Sequence, residues 1–225
     1  MSVSPAILNA NAGRWAVARV LSAKQPLFNS VAKRLVSAKN RYQWVAAKTG
    51  VPWFVIAVIH EREASQRWDA NIAQGDPWNH VSHNVPKGRG PFASWDEAAS
   101  DALTNCAPFA AKWHDWSPGG TMTLLEMYNG LGYSSRGKPS PYIWAGTDQY
   151  SRGKYVRDGV YDPNVVDSQL GCAGMILAMA ALDPSITLRK NTMAMNPPPP
   201  DVSPIDTKPV STSWLSALFS IFRKK

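Results

Sequence analysis

The stretch that decides the fold is residues 53–65, which read WFVIAVIHEREAS. Residues 53–59 are all apolar, and a helix that is apolar on every side has to be buried. The run therefore predicts a helix over Trp53–Arg62 that lies at the centre of the core. Gly50 fits the stop of a preceding helix, and Pro52 fits the start of this one.

Two carboxylates, Glu61 and Glu63, stand at the end of this helix. Residues two apart cannot face the same way. Glu63 follows Ile59 by four residues, which places it on the buried side, whereas Glu61 lies off it. A carboxyl group that is removed from water has a raised pKa and can stay protonated as a general acid. An ordinary helix-end charge pair, with Glu63 bonded to Arg67, explains the local sequence equally well.

The rest of the chain predicts a mainly α fold. Helices are expected at 4–22, after Pro26, from an N-cap at Ser94 with Glu97 completing a capping box, at 121–129 and at 164–183. Glycine and proline interrupt residues 69–93, which predicts a long loop or an irregular hairpin. Residues 130–163 are predicted to be rich in loops.

Three segments follow from the change of composition near the C-terminus. Residues 1–190 are predicted to form the folded domain, and residues 191–212 a proline-rich linker. Residues 213–225 read SWLSALFSIFRKK and predict an amphipathic helix with a basic end. Its large apolar side chains favour contact with an anionic membrane surface, and binding to a partner or folding back on the domain are the alternatives.

The charge of the chain is uneven. The net charge is +8, and the first fifty residues hold eight basic residues and no acidic one. These eight are Arg14, Arg19, Lys24, Lys33, Arg34, Lys39, Arg41 and Lys48. This excess indicates a polyanionic partner, or else simply a solvated helix face. No nucleic-acid-binding motif accompanies it, so nucleic acid is not an expected partner.

Neither a secretory signal nor a membrane span is predicted. The N-terminus lacks the apolar block of a signal peptide. The longest apolar runs, 51–59 and 171–182, are much shorter than the roughly 20 residues that a bilayer requires.

Metal and thiol chemistry is not predicted. Cys106 and Cys172 are expected to be buried free thiols. The dipeptide His60-Glu61 begins like a zinc-protease motif, but Ala64 stands where the second histidine is needed. Asp76, His80 and His83 are a loosely spaced alternative metal set, which would suggest a zinc amidase or peptidase. We therefore expect no metal and no cofactor.

Residues 55–63, VIAVIHERE, resemble the catalytic helix of the lysozyme-like superfamily, as found in goose-type lysozymes and lytic transglycosylases. In that family the helix ends in a glutamate that serine usually follows, whereas this chain has Ala64. Residues 126–133, EMYNGLGY, resemble the Tyr-Asn-Gly segment on the family's cleft floor. Segments 88–92, 95–103 and 140–144 are similar to phage and bacterial muramidases, so the resemblance extends over residues 30–183.

This resemblance implies a lysozyme-like fold with a small irregular β-hairpin or loop region beside a catalytic cleft. The implied reaction is cleavage of the β-1,4 bond between N-acetylmuramic acid and N-acetylglucosamine, with Glu63 as the general acid. A second carboxylate would assist. Asp76 is preferred because a glycine- and proline-flanked loop can reach across a cleft, and Asp69 is the alternative. In lytic transglycosylases one glutamate does both tasks and the product is an anhydro sugar.

The resemblance also implies contacts with the sugar. Tyr128 and Asn129 would contact it near Glu63, although a helix C-terminus with a core tyrosine explains them equally well. Trp68, Tyr142 and Trp144 are predicted stacking surfaces for pyranose rings, and core packing is their alternative role.

The expected function is that of a phage-type endolysin. It would be a monomer, made in the host cytoplasm and acting on peptidoglycan after release. The alternative is a non-enzymatic protein that binds the cell wall or the membrane through its basic region and tail.

Overall fold

The computed structural model describes residues 3–188, which form a mainly helical fold with one two-stranded antiparallel sheet. The helices in this range are α1 (Pro5–Val17), α2 (Gln25–Ser37), α3 (Lys39–Thr49), α4 (Trp53–Ala64), α5 (Trp95–Asn105), α6 (Pro118–Tyr128), α7 (Pro141–Trp144) and α8 (Cys172–Leu182). The strands are β1 (Lys154–Arg157) and β2 (Val160–Asp162). The predicted mainly α class is confirmed.

Helix α4 is the centre of the core. Nine of its 12 residues are buried, and it contacts α2, α3, α6 and α8. Its aliphatic side chains, such as Val55, Ile56 and Ile59, are completely enclosed. Each contributes about 1.5–3 kcal/mol relative to the exposed state. The apolar run therefore folds as predicted, and it carries Glu63 to the point where the helix leaves the core.

Two helix ends confirm the signals in the sequence. Gly50 ends α3 with a φ of +73°, a conformation that favours glycine. Ser94 begins α5, since its Oγ accepts a hydrogen bond of 3.1 Å from the backbone N–H of Glu97. The carboxylate of Glu97 reaches back to the backbone N–H of Ala93 at 2.8 Å. The hydrogen bonds of Ser94 and Glu97 fix the point where the irregular segment 69–93 ends and α5 begins.

Several predicted boundaries are wrong. Helix α1 ends at Val17 rather than at residue 22, and α8 begins at Cys172 rather than at 164. The helix predicted after Pro26 is two helices that meet at Ala38. No glycine or proline marks this break, and the apolar spacing runs through it, so the local sequence hides it.

Of the two forms predicted for segment 69–93, the long loop is the one observed, and the hairpin lies elsewhere. Segment 69–93 contains only an isolated bridge between Ala70 and Pro77, whereas β1 and β2 pair within the stretch predicted to be loops. The rings of Tyr133, Tyr155 and Tyr161 pack edge to face around this hairpin, with centroids 5.0–6.2 Å apart. Tyr133 is distant in sequence, so its support for the hairpin cannot be read from the local pattern.

The basic N-terminal region is partly paired in the fold. Lys39 forms an ion pair with Asp183 at 2.6 Å, and Arg41 pairs with Asp96 at 3.1 Å. Its attraction to a polyanion stays a prediction.

The remaining predictions concern the two cysteines, the C-terminal segments and membrane-spanning helices. Cys106 and Cys172 are buried and free, as predicted. The predicted linker (191–212) and amphipathic helix (213–225) lie outside the described residues. None of the helices within residues 3–188 has the length and apolar character needed to cross a bilayer.

Candidate active site

The end of α4 is shaped by a sharp turn directly after Glu63. Ser65 and Gln66 both adopt left-handed conformations, with φ of 51° and 58°. Their backbone N–H groups donate to the carbonyl oxygens of Glu61 and His60, which closes the last turn of the helix. Two consecutive non-glycine residues in this region store backbone strain of the kind that is concentrated at functional sites.

His60 holds this turn from inside the core. Its Nε2 lies 2.9 Å from the carbonyl oxygen of Arg67 and its Nδ1 lies 2.9 Å from the hydroxyl of Tyr42. Because a carbonyl oxygen only accepts, Nε2 carries the proton and Nδ1 accepts from Tyr42. Burial lowers the pKa of His60 to about 4, so the ring is neutral near pH 7. His60 is therefore a structural anchor for the chain that leaves α4.

Glu63 has one oxygen fixed and the other open. The hydroxyl of Tyr142 donates to Oε1 at 2.7 Å. Oε2 accepts no hydrogen bond from residues 3–188, and it is not sealed off from solvent. Burial raises the pKa of Glu63, while the hydrogen bond from Tyr142 and the charge of Arg62 act in the opposite direction and are outweighed. The carboxyl therefore has a free oxygen and an increased tendency to hold a proton.

Two tyrosines enclose this carboxyl. Tyr142 comes from α7, where Pro141 begins the helix, and its ring lies under the guanidinium of Arg62 at 4.4 Å. Burial, reinforced by the neighbouring Glu63, raises the pKa of Tyr142 well above its ordinary value, so this phenol acts as a donor. Tyr128, at the end of α6, has a buried hydroxyl without a hydrogen-bond partner among the described residues. Burial and the nearby Glu63 raise its pKa as well.

Glu63 is not part of a charge pair with the described residues. Arg67, its predicted alternative partner, donates instead to the carbonyl oxygen of Gly75 at 3.1 Å. Gly75 has a φ of +73°, and a Cβ at this position would lie 3.1 Å from the carbonyl oxygen of Glu63. A glycine thus lets the irregular segment pass close beside the end of α4.

Glu61 has a different environment, as its position in the sequence predicts. Its Oε2 accepts a hydrogen bond of 2.7 Å from the side-chain amide of Gln66. Burial raises the pKa of Glu61, and the Gln66 hydrogen bond and the charges of Arg34 and Arg62 oppose this increase. Glu61 therefore serves as a matched comparison for Glu63: it is a helix-end carboxyl with the same type of pKa change but a different partner.

Asp76 is held within its own loop. Its Oδ2 accepts hydrogen bonds of 2.8 Å from the backbone N–H groups of His83 and Asn84, and its Oδ1 accepts one of 2.6 Å from the side chain of Asn84. These bonds lower the pKa of Asp76. They give the carboxylate a structural role in ordering residues 76–84, and its catalytic role stays a prediction. Asp69, the alternative, is exposed.

Burial excludes a stacking role for two of the three predicted stacking residues. Trp144 is completely enclosed in the core, so it cannot offer a ring face to a sugar. Tyr142 is 4% exposed, and its function in this arrangement is to hold Glu63 rather than to stack. Trp68 is partly buried, and the guanidinium of Arg41 lies over its ring at 4.1 Å. Asn129 is exposed beside Tyr128, and its contact with a sugar stays a prediction.

A polar cavity of about 320 Å³ lies next to these groups. Its lining includes Arg62, Asn129 and Pro141, which are the chain neighbours of Glu63, Tyr128 and Tyr142, but not Glu63 itself. Four more charged residues line it, namely Lys154, Arg157, Asp158 and Asp167. Lys154 and Asp167 could not be predicted as site residues, because nothing in their local sequence sets them apart. Arg62 could have been singled out from the sequence, because it lies between Glu61 and Glu63.

Within the described part of the chain no three His, Cys, Asp or Glu side chains are grouped as a metal ion would require. Comparison with known proteins gives no match, whether to a family model, to a curated protein or to a solved structure. The chemistry of the site is therefore argued from its geometry: a carboxyl with a raised pKa, one oxygen held by a phenol and the other free, can give a proton to a bound substrate.

Proposed function

We propose that this chain is a peptidoglycan-cleaving glycosidase with a lysozyme-like fold, which acts as a phage-type endolysin. The bond cleaved would be the β-1,4 linkage between N-acetylmuramic acid and N-acetylglucosamine, and Glu63 would be the general acid. The observation that carries the proposal is the state of the Glu63 carboxyl: it is partly buried, its pKa is raised, and its Oε2 accepts no hydrogen bond from the described residues.

The first step of the reaction uses this free oxygen. Glu63 transfers its proton to the glycosidic oxygen as the bond from that oxygen to the anomeric carbon breaks, and positive charge develops on the sugar ring. The carboxylate that remains is stabilised by the hydroxyl of Tyr142 and the charge of Arg62. The two groups that oppose protonation of Glu63 at rest therefore assist it when the proton has left.

The second step has two possible nucleophiles. A water molecule would give a reducing end, with Asp76 or Glu63 accepting its proton, whereas the 6-hydroxyl of the muramic sugar would give an anhydro end. The sugar contacts proposed for Tyr128 and Asn129 place the substrate beside Oε2. Support for this placement comes from the exposure of Asn129 at the end of α6.

Incubation of the full chain with purified peptidoglycan tests the proposal. Soluble muropeptides should be released, and mass spectrometry of their ends distinguishes a hydrolase from a transglycosylase. If the chain binds the polymer but releases no fragments, the protein is a wall-binding module and the glycosidase proposal fails.

A further inference from the structure

The polar cavity beside Glu63 has a lining of mixed charge with an excess of one positive charge. Three basic residues line it, Arg62, Lys154 and Arg157, together with two acidic ones, Asp158 and Asp167. The hairpin supplies three of these five, since Lys154 and Arg157 belong to β1 and Asp158 to the turn that follows. The site is therefore built from the hairpin on one side and from the end of α4 on the other.

Arg62 has hydrogen-bonding capacity that residues 3–188 do not use. Its side chain is 5% exposed, and its Nε is buried without a partner among the described residues. One terminal nitrogen donates to the carbonyl oxygen of Leu170 at 3.2 Å, and the other lies 3.5 Å from the carboxylate of Asp167. A guanidinium has five N–H groups, and an unsatisfied buried donor is costly.

Asp167, by contrast, is already well supplied with donors. Its Oδ1 accepts from the ammonium group of Lys154 at 3.1 Å and from the backbone N–H of Gln169 at 3.2 Å. The cavity therefore contains a buried cation with spare donors next to an anion that needs no further partner. A small anion in the cavity would accept hydrogen bonds from the donors of Arg62 that have no partner.

We propose that this cavity binds a carboxylate of the peptide that is attached to the muramic sugar. This inference rests on the proposed function. Arg62, Asn129 and Pro141 line the cavity, and they are the chain neighbours of Glu63, Tyr128 and Tyr142, so its entrance adjoins the residues around the reacting carboxyl. A glycan placed on Glu63 would bring the substituent of its muramic ring to this entrance. The side-chain amides of Asn129 and Gln169 are suited to the peptide groups of that substituent.

The test uses the full chain with the Glu63→Gln substitution, which binds without cleaving. Calorimetry compares N-acetylmuramyl-L-alanyl-D-glutamate with the same compound in which both carboxyl groups are amides. The acid should bind about tenfold more tightly than the diamide, because charge-assisted hydrogen bonds to Arg62 and Lys154 are lost in the diamide. Equal affinities would overturn the proposal.

Two further variants locate the effect. Lys154→Met should reduce the preference for the acid to a small factor, and Lys48→Met, which changes a lysine on α3 that does not line the cavity, should leave it intact. Arg157→Gln gives a second measurement if Lys154→Met does not fold, and it should also reduce the preference. A preference that survives in the folded cavity variants would contradict the assignment.

The outcomes separate this inference from the proposed function. If peptidoglycan is cleaved but the acid and the diamide bind equally, only the cavity assignment fails. If no cleavage occurs but the acid is preferred in a manner that depends on Lys154, the cavity is a carboxylate site in a protein that is not a glycosidase.

Discussion

Two partly or fully buried glutamates, at the ends of neighbouring helices, have contrasting environments. Glu126 near the end of α6 is 1% exposed, and its oxygens accept hydrogen bonds from the backbone N–H of Ser134 at 3.1 Å, from the Ser134 hydroxyl at 2.6 Å and from the side chain of Asn11 at 3.3 Å. Within the described part of the chain, Glu63 at the end of α4 receives one hydrogen bond, from Tyr142, and its Oε2 receives none.

The difference shows how the fold uses the same side chain for two purposes. Glu126 joins α1 to α6 and holds the segment that follows the Tyr-Asn-Gly sequence, so its hydrogen bonds are all made within the protein. Glu63 is largely buried but lacks a full set of hydrogen-bond partners among the described residues. Burial raises its pKa, and the missing hydrogen bonds cost stability. A carboxyl group in this state is suited to chemistry, and the following substitutions test the distinction.

The largest effect is expected for Glu63→Gln. The amide cannot give a proton, so the rate of peptidoglycan clearing should decrease about 10³-fold, which is within the usual contribution of a general acid. Turbidity of a peptidoglycan suspension measures this rate. The control is Glu61→Gln, which changes a carboxyl on the same helix end and should leave the rate within a few-fold of the original. Equal losses in both variants would contradict the special role of Glu63.

Glu126→Ala should have its main effect on stability. The Ser134 and Asn11 donors would lose their acceptor inside the protein, and we expect the free energy of unfolding to decrease by about 4 kcal/mol. Urea denaturation measures it. Glu63→Gln should not show such a loss, because it removes a buried carboxyl that is only partly satisfied. If both substitutions destabilise equally, the contrast between the two glutamates is incorrect.

Acid should weaken the anchor at the end of α4. The pKa of His60 is lowered from 6.5 to about 4 by burial, so between these pH values the unfolded chain binds a proton that the folded chain does not. The free energy of unfolding should therefore fall as the pH is lowered through this window, by about 3 kcal/mol in total. Denaturation at several pH values measures the slope. A variant with His60→Gln should lose this part of the slope, and an unchanged slope would argue against the buried neutral ring.

Tyr142→Phe should lower the rate much less than Glu63→Gln does. Loss of one hydrogen bond is expected to lower activity about fivefold. The same bond lowers the pKa of Glu63, so its removal should raise that pKa. Because the acid must be protonated to act, the decline of activity on the alkaline side should move to higher pH. A loss of activity without this movement would indicate that Tyr142 only supports the fold.

Features of the fold and the site could be predicted from the sequence where the interacting residues lie close together along the chain. The burial of α4, the caps at Gly50 and Ser94, and the position of Glu63 on the inner side of its helix follow from spacings within a few residues. The partner of Glu63 could not be predicted in the same way, because Tyr142 is 79 positions away and its own sequence fits core packing or stacking equally well.

The same limit explains the incorrect predictions. The sequence around Trp144 fits a sugar-binding cleft or the core, and only the packing of α7 on α6 and α8 places the side chain inside. The pairing of Arg62 with Asp167 joins α4 to a segment beyond the hairpin, and no local pattern marks Asp167 as its partner. Local rules therefore predicted the helix that carries the acid, and tertiary contacts determined what surrounds it.

The most direct test of the central claim is a titration of the Glu63 carboxyl by ¹³C NMR. The chain is labelled at glutamate side-chain carboxyls, and the Glu63→Gln variant identifies the resonance. The account predicts a midpoint above 4.5, the ordinary value for glutamate, which moves to still higher pH in Tyr142→Phe. A midpoint at or below 4.5 would mean that this carboxyl ionises like an exposed one, and the proposal that it is the acid of a glycosidase would be contradicted.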